Sequence, residues 1–125
     1  MPTRCPCLSG LPYDQCCGRL HRDDARAATA EQLMRSRFSA FAVGEAEYLI
    51  ATWHPSTRPP SLELDTELHW YRLDIIHTSA GGLLDHEGTV EFEAHYRSPA
   101  GAGSQRENSS FLREDGRWYY VSARG

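Results

Sequence analysis

The sequence predicts an α+β protein in which a small N-terminal zinc knuckle precedes two or more helices packed on a curved antiparallel sheet of about four strands. Three observations lead to this prediction. All four cysteines lie within the first 17 residues, two helical patterns occupy residues 29–53, and the later patterns alternate as β-strands do. Helices that precede a run of consecutive strands are typical of the α+β class.

Length and composition set the outer limits. A chain of 125 residues with 40% hydrophobic residues forms one domain with at most a small appendage. The net charge of −4 argues against a strongly basic nucleic-acid-binding surface. No apolar run approaches the ~18 residues that a membrane span requires. Because no apolar leader follows Met1, we expect a cytoplasmic protein without membrane association.

The cysteines form one compact motif: Cys5-Pro6-Cys7, eight residues, and then Cys16-Cys17. Each end of the loop presents two thiols, and four thiolates fill a tetrahedral structural zinc site without leaving a position for water. Disulfides are the rival interpretation, but a bridge within either pair would be strained, and no oxidising compartment is indicated. We therefore predict a structural zinc ion bound by Cys5, Cys7, Cys16 and Cys17.

His21 lies close enough to the motif to be an alternative ligand. With four cysteines present, the simpler interpretation is a surface histidine or one that supports the ligands from outside. Residues 19–28 are polar and mixed in charge, which predicts a link between the knuckle and the main domain. The predicted division is a zinc-binding segment over residues 1–22 and an α+β domain over residues 23–125, whose cone shape is implied by the family resemblance described below.

Thr29 and Gln32 predict a capping box at the start of the first helix, and Gly44 predicts its end. A second helix is predicted over residues 45–53, before His54-Pro55. The predicted apolar stripe of the first helix comprises Met34, Phe38, Phe41 and Ala42. The side chains predicted to turn away from this stripe are those of Arg35, Arg37 and Ser39.

Strand patterns cover residues 68–78, 89–97, 106–113 and 117–122. The last two flank Glu114-Asp115-Gly116, which indicates a hairpin. In the first pattern, one predicted face carries His69, Tyr71, Leu73 and Ile75, and the other carries Trp70, Arg72, Asp74 and Ile76. In the second, Val90, Phe92, Ala94 and Tyr96 are predicted to face the core, and Glu91, Glu93, His95 and Arg97 the solvent.

The cysteine motif, with Ser9-Gly10 and Tyr13 between its halves, resembles the SEC-C motif, the zinc module at the carboxy terminus of the SecA translocation ATPase. The ligands of that motif match the four cysteines here. Further segments resemble the bacterial YchJ family: residues 34–41, 48–58, 90–94 and 111–120. The resemblance implies a SEC-C module followed by a domain of the nuclear-transport-factor-two-like cone fold.

For function we expect a zinc-binding protein that acts as a protein-interaction (adaptor) module, since the SEC-C module in SecA contacts its partners in this way. The alternative is a small-molecule-binding protein or an enzyme that uses the cavity of the cone. Nucleic acid is disfavoured as a partner because acidic residues dilute the basic patch around the knuckle. The basic residues are Arg4, Arg19, Arg22 and Arg26, and the acidic ones are Asp14, Asp23 and Asp24.

An enzyme would need a catalytic group in the cone, and the candidates are Asp74, His54, His69 and His95. They form no constellation at defined spacings, so no catalytic residue is predicted. The three tryptophans are large enough to wall a pocket, although the simpler interpretation places them in the core. We also expect Arg58 to fix the loop over residues 54–60 by pairing with a carboxylate, the alternative being an anionic ligand.

Overall fold

A four-stranded antiparallel sheet forms the larger part of the molecule, and its strands lie side by side in chain order. The structure is a computed structural model that describes residues 4–123. The strands are β1 (His69–Ala80), β2 (Glu87–Ser98), β3 (Gly101–Glu114) and β4 (Arg117–Ala123). Each predicted strand is present and extends beyond its predicted bounds at one end or both.

Three helices precede the sheet: α1 (Cys17–His21), α2 (Ala30–Val43) and α3 (Ala46–Ala51). Helix α2 contacts β1, β2 and β4 on one side and α1 and α3 on the other, so it is the central element of the fold. The predicted α+β class, with helices packed on a sheet of four strands, is confirmed. Helix α1 lies partly within the segment that was predicted as a link, and its Leu20 is buried.

Helix α2 begins and ends where its caps predict. Thr29 Oγ1 accepts a hydrogen bond from the amide of Gln32 at 3.1 Å, and Gln32 Oε1 accepts one from the amide of Ala28 at 2.7 Å. The first bond satisfies an amide that the helix N-terminus leaves free, and the second joins the side chain of Gln32 to the residue before the cap. At the other end Gly44 adopts φ 84°, a left-handed cap that glycine accommodates without strain.

The buried part of α2 is wider than the predicted stripe. Met34 and Phe38 are buried as predicted, but Phe41 is 36% exposed. Arg37 and Ser39, predicted to point elsewhere, are only 3% and 0% exposed, so that prediction is wrong. The reason is the position of α2 between the sheet and the two shorter helices, which cover side chains that a single apolar face would leave in water.

Strand β1 departs from strict alternation because its pairing with β2 shifts between Trp70 and Arg72 and again between Ile75 and His77. Such bulges insert an unpaired residue and change which face the following side chains occupy. As a result Trp70 packs against the same core as Leu73, whereas Tyr71 is 40% exposed. The prediction that put Trp70 and Leu73 on opposite faces is therefore wrong.

The core lies between α2 and the inner face of the sheet. In β2 the predicted inward residues Val90, Phe92 and Ala94 are buried. Trp118 of β4 is 2% exposed, and its indole nitrogen donates a hydrogen bond to the carbonyl of Ala28 at 3.2 Å. The second strand of the hairpin, β4, is thereby joined to the segment before α2.

Helix α3 ends at Ala51, two residues before the predicted end, because the chain then joins the edge of the sheet. Tyr120 donates its amide to the carbonyl of Thr52 at 2.8 Å and accepts from the amide of His54 at 2.7 Å. Trp53 thus forms a parallel bridge with Tyr120. Among the described residues, no helix is long and apolar enough to cross a membrane.

Candidate metal centre and cone cavity

The four cysteines are brought together by a tight turn and a short helix. The amide of Cys5 donates to the carbonyl of Leu11 at 3.0 Å, and the amide of Leu8 donates to the carbonyl of Cys5 at 3.1 Å. A 3-10 turn over Tyr13–Gln15 then leads into α1, which begins at Cys17. The turn carries Cys5 and Cys7 against the start of α1, where Cys16 and Cys17 lie.

The four cysteine sulfurs all lie within 4.8 Å of one another. Cys7 Sγ and Cys16 Sγ are 3.6 Å apart, far beyond the ~2.05 Å of a disulfide bond. Cys5, Cys7 and Cys17 are at most 3% exposed, and Cys16 is partly exposed. A buried group of four sulfurs at this spacing could hold a metal ion, and the donor set is that of a closed site.

The cysteine thiols of the cluster compete for negative charge, and Cys5 is favoured over Cys17. Hydrogen bonds from Cys17 and Cys7 lower the pKa of Cys5 far below its usual range. The pKa of Cys17 is raised in turn, first by its hydrogen bond to Cys5, then by that to Cys7 and by burial. A cation placed among the sulfurs would remove this competition for negative charge, because metal binding requires deprotonated thiols.

Polar groups around the cluster attach it to α2. Ser39 Oγ lies 3.4 Å from Cys5 Sγ, and Arg35 Nη1 donates to the carbonyl of Cys7 at 3.2 Å. On the outer side, Ser9 Oγ is 3.1 Å from Cys16 Sγ. Two contacts from the buried or half-buried face of α2 therefore fix the orientation of the cysteine turn on the main domain.

His21 is placed outside the sulfur cluster. Its Nδ1 hydrogen-bonds to the hydroxyl of Tyr13, and its Nε2 lies 2.8 Å from the carbonyl oxygen of Ser36. The imidazole also packs against the ring of Tyr48, with centroids 4.6 Å apart. Both ring nitrogens thus have partners other than a metal, which agrees with a histidine that supports the site from outside.

A second concave feature lies in the cone, between α2 and the inner face of the sheet. It is a cavity of about 300 Å³. Its lining is mostly aromatic and apolar, with a few polar side chains from α2 and β3. The lining residues are Met34, Arg37, Phe38, Phe41, Trp53, Trp70, Phe92, Ala94, Gln105, Glu107, Ser109 and Tyr120. Trp53 and Trp70 therefore wall the cavity, whereas Trp118 belongs to the core as predicted.

None of the four candidate catalytic residues lines this cavity. Asp74 and His95 lie on the outer face of the sheet, with Asp74 Oδ2 2.9 Å from His95 Nε2. Hydrogen bonds from His95 and then Arg72 lower the pKa of Asp74. Glu93, 3.8 Å from His95, completes an acidic group on this face. We interpret this group as a solvated surface network, as the alternation of β2 predicts.

The remaining two candidates are also placed away from the cavity. His54 Nε2 lies 2.8 Å from a carboxylate oxygen of Glu114, and its Nδ1 lies 2.7 Å from Ser56 Oγ. His69, at the start of β1, is exposed. His54 therefore holds the loop after α3, and His69 faces solvent.

Arg58 has partners other than the predicted carboxylate. Its Nε donates to the carbonyl of Trp53 at 2.9 Å, and its Nη2 donates to the carbonyl of Ala51 at 3.3 Å. No ion pair involves Arg58 within the part of the chain that the structure describes. The prediction of a carboxylate partner is therefore wrong: the guanidinium instead satisfies carbonyls at and after the end of α3.

Sequence reasoning missed Arg37 as a functional candidate. This arginine lies three residues after Met34 and four before Phe41, positions that share one face of a helix. The spacing was therefore a signal for burial, but the charge of the side chain argued for solvent. In the structure it lines the cavity.

Family models match both parts of the chain. The model described as "YchJ, middle NTF2-like domain" matches residues 29–123, and the model described as "SEC-C motif" matches residues 1–19. The chain belongs to the YchJ family. Among curated relatives of this YchJ-family chain, a UPF0225 protein of Corynebacterium efficiens is 54% identical over 94% of this chain and 89% of its own length. A UPF0225 protein of Streptomyces coelicolor is 50% identical over 97% and 95%.

Two solved structures share the fold of this YchJ-family chain. The solution structure of a SEC-C motif containing protein from Rhodopseudomonas palustris is 33% identical, with a TM-score of 0.82 over 100% of this chain and 98% of that one. The crystal structure of a SEC-C motif containing protein from Psychrobacter arcticus is 28% identical, with a TM-score of 0.77 over 94% and 80%. The resemblance seen in the sequence is confirmed.

Proposed function

We propose that the four cysteines bind one structural zinc ion. The observation that supports this is the mutual spacing of the sulfurs, all within 4.8 Å of one another. In a tetrahedral site with Zn–S bonds of ~2.3 Å the sulfurs lie roughly 3.8 Å apart, close to the 3.6 Å between Cys7 and Cys16. Four thiolates leave no position for an activated water, so this zinc would stabilise the turn and would not catalyse hydrolysis.

The zinc assignment predicts one zinc per chain by elemental analysis of protein purified without added metal. The double variant Cys16→Ser/Cys17→Ser should retain none, because two oxygens replace half of the soft ligands. His21→Gln should keep the full amount, since both ring nitrogens of His21 already have other partners. Full zinc content in the double variant, or a different metal at one equivalent in the wild type, would contradict the assignment.

We further propose that the zinc knuckle is a protein-interaction module. Leu8 and Leu11, in the turn between the two cysteine pairs, are 58% and 47% exposed. Backbone hydrogen bonds from Cys5 and Leu8 hold this turn in a fixed shape. Two exposed leucines on a rigid turn offer a protein partner an apolar anchor at little entropic cost.

The adaptor role is tested with Leu8→Ser/Leu11→Ser in an affinity purification from bacterial lysate. Both residues are exposed, so zinc content and fold should persist while the captured partner is lost. A matched control is Leu83→Ser/Leu84→Ser, since those leucines are 66% and 91% exposed on a different loop. Equal capture by all three proteins would overturn the proposed role of the knuckle.

A second candidate function belongs to the cone. The observation that favours it is the cavity of about 300 Å³, whose lining includes Phe38, Trp70 and Phe92 together with one arginine, Arg37. Cavities of this size, mostly apolar with few polar groups, are typical of small-molecule sites. Binding without reaction is the simpler form of this function, because the histidines and Asp74 that could act as bases lie elsewhere.

A further inference from the structure

Arg37 brings a buried positive charge to the wall of the cone cavity. It is 3% exposed, and burial lowers its pKa to about 10. Its Nη1 donates to the carbonyl of Leu49 at 2.8 Å and to Thr52 Oγ1 at 2.7 Å. The centroid of the Tyr120 ring lies 4.6 Å from Cζ. These partners hold the guanidinium in one place but neutralise none of its charge.

Among residues 4–123 no carboxylate forms an ion pair with Arg37. Buried charges are costly, and proteins normally pair them. Within residues 4–123 the hydrogen bonds of this side chain all come from Nη1, so Nε and Nη2 have no partner in that part of the chain. A fixed, desolvated guanidinium beside a cavity is a recognition group for an anion, above all for a carboxylate that can accept two hydrogen bonds.

The other walls determine what the anion is attached to. Phe38, Phe92 and Ala94 are at most 6% exposed and give the cavity an apolar interior. Phe41 and Gln105 are exposed and mark its open side. Such a chamber favours an apolar or aromatic body over a sugar or a nucleotide, whose many polar groups would lose their hydrogen bonds to water.

We propose that the cone cavity binds a small organic acid with one carboxylate, which pairs with Arg37, and an apolar body, which packs against Phe38, Trp70 and Phe92. This inference rests on the small-molecule function proposed for the cone and adds the chemical class of the ligand. It concerns the cone alone and is independent of the metal.

Glu107 limits the number of negative charges on the ligand. It is the other charged residue of the lining, and its carboxylate accepts a hydrogen bond from the side chain of Gln105. Along β3 the lining residues Gln105, Glu107 and Ser109 are exposed, half-buried and fully buried in turn, so Glu107 lies between the rim and the interior. A second carboxylate on the ligand would approach this like charge, which disfavours diacids.

The test uses three probes with the same aromatic body: phenylacetate, phenylacetamide and phenethylamine. They are titrated into isotopically labelled full-length protein, and the amide shifts of Phe92, Ala94 and Tyr120 are followed by NMR. If the carboxylate of phenylacetate pairs with the buried guanidinium of Arg37, phenylacetate should bind at least about tenfold more tightly than the neutral phenylacetamide. The amine should bind most weakly, because it places a cation beside Arg37.

Two variants separate Arg37 from a general charge effect. Arg37→Met keeps an unbranched apolar stem but removes the guanidinium, and it should reduce the affinity for phenylacetate at least about tenfold while changing that for phenylacetamide little. The control, Arg106→Met, removes the same charge from β3 at a position outside the cavity lining, where Arg106 is exposed and pairs with Glu91 at 2.8 Å. It should bind phenylacetate like the wild type. If Arg37→Met fails to fold, the relative affinities of the three probes for the wild type decide whether the cavity prefers a carboxylate.

Each contrary outcome has its own meaning. Equal affinity for phenylacetate and phenylacetamide would overturn the carboxylate assignment and leave a small-molecule site in the cone. Tightest binding of phenethylamine would also overturn it and would assign recognition to Glu107. No shift of the cavity amides with any probe up to its solubility limit would overturn both the inference and the small-molecule function proposed for the cone.

Discussion

Two arginines show how burial changes the role of one residue type. Arg37 is 3% exposed and is held by a carbonyl and a hydroxyl on α3 and its end, so its charge stays fixed beside the cavity. Arg58 is exposed and uses its guanidinium on the carbonyls of Ala51 and Trp53. Arg37 is therefore a candidate for ligand recognition, whereas Arg58 stabilises the loop after α3.

Replacing Arg58 by alanine should lower the free energy of unfolding by about 1 kcal/mol, since two hydrogen bonds to exposed carbonyls are lost. A cost of roughly 3 kcal/mol or more would require a buried partner charge, and neither partner here is charged. Urea denaturation measures the difference, with Arg106→Ala as an exposed arginine control. A stability equal to the wild type would show that the loop is fixed without Arg58.

At the scale of elements, the start of α2 is joined to the β1–β2 loop by a close contact at Gly81. The amide of Ala30 donates to the carbonyl of Gly81 at 2.9 Å. Gly81 has φ 78°, and a Cβ built on it would lie 2.8 Å from the Cβ of Ala30. Only glycine therefore allows helix and loop to approach this closely.

Gly81→Ala should be more destabilising than Gly116→Ala by about 1 to 3 kcal/mol, because it adds a steric conflict to the backbone strain. Gly116 is a matched control: its φ is 77°, and a Cβ there would meet nothing within 4 Å. Thermal or urea unfolding of both variants gives the difference. Equal losses would mean that the contact with Ala30 relaxes freely.

At the scale of the whole molecule, the cysteine turn is attached to the main domain by a few polar contacts on α2. Arg35, Ser36 and Ser39 provide them, to Cys7, His21 and Cys5 respectively. The main core consists of residues from α2 and the sheet and contains no cysteine. The sulfur cluster is a separate small core.

Removal of the metal by a chelator should therefore increase hydrogen exchange over residues 4–21 and weaken the contacts on α2, while the amides of β2 and β3 stay protected. The physical reason is that structural metal binding supplies the folding free energy of small knuckles, whereas the sheet has its own buried core. Mass spectrometry of exchange with and without chelator measures this. Loss of protection throughout the sheet would show that the two parts unfold as one.

The features that could be predicted from the sequence are those that depend on neighbouring residues. Spacing grouped the four cysteines, Thr29 and Gln32 set the start of α2, Gly44 set its end, and alternation placed Val90, Phe92 and Ala94 in the core. These signals are local, because a cap or a strand face depends on residues a few positions apart.

Contacts between side chains that are distant in sequence could not be predicted, because they depend on how the helices and strands pack. The bulges of β1 turned Trp70 inward, the packing of α3 and β4 around α2 buried Arg37, and the end of α3 supplied Arg58 with carbonyls in place of a carboxylate. The candidate site in the cone depends on these long-range arrangements. Charge and periodicity along one segment do not specify them, because the desolvation of a side chain is set by elements that are distant in sequence.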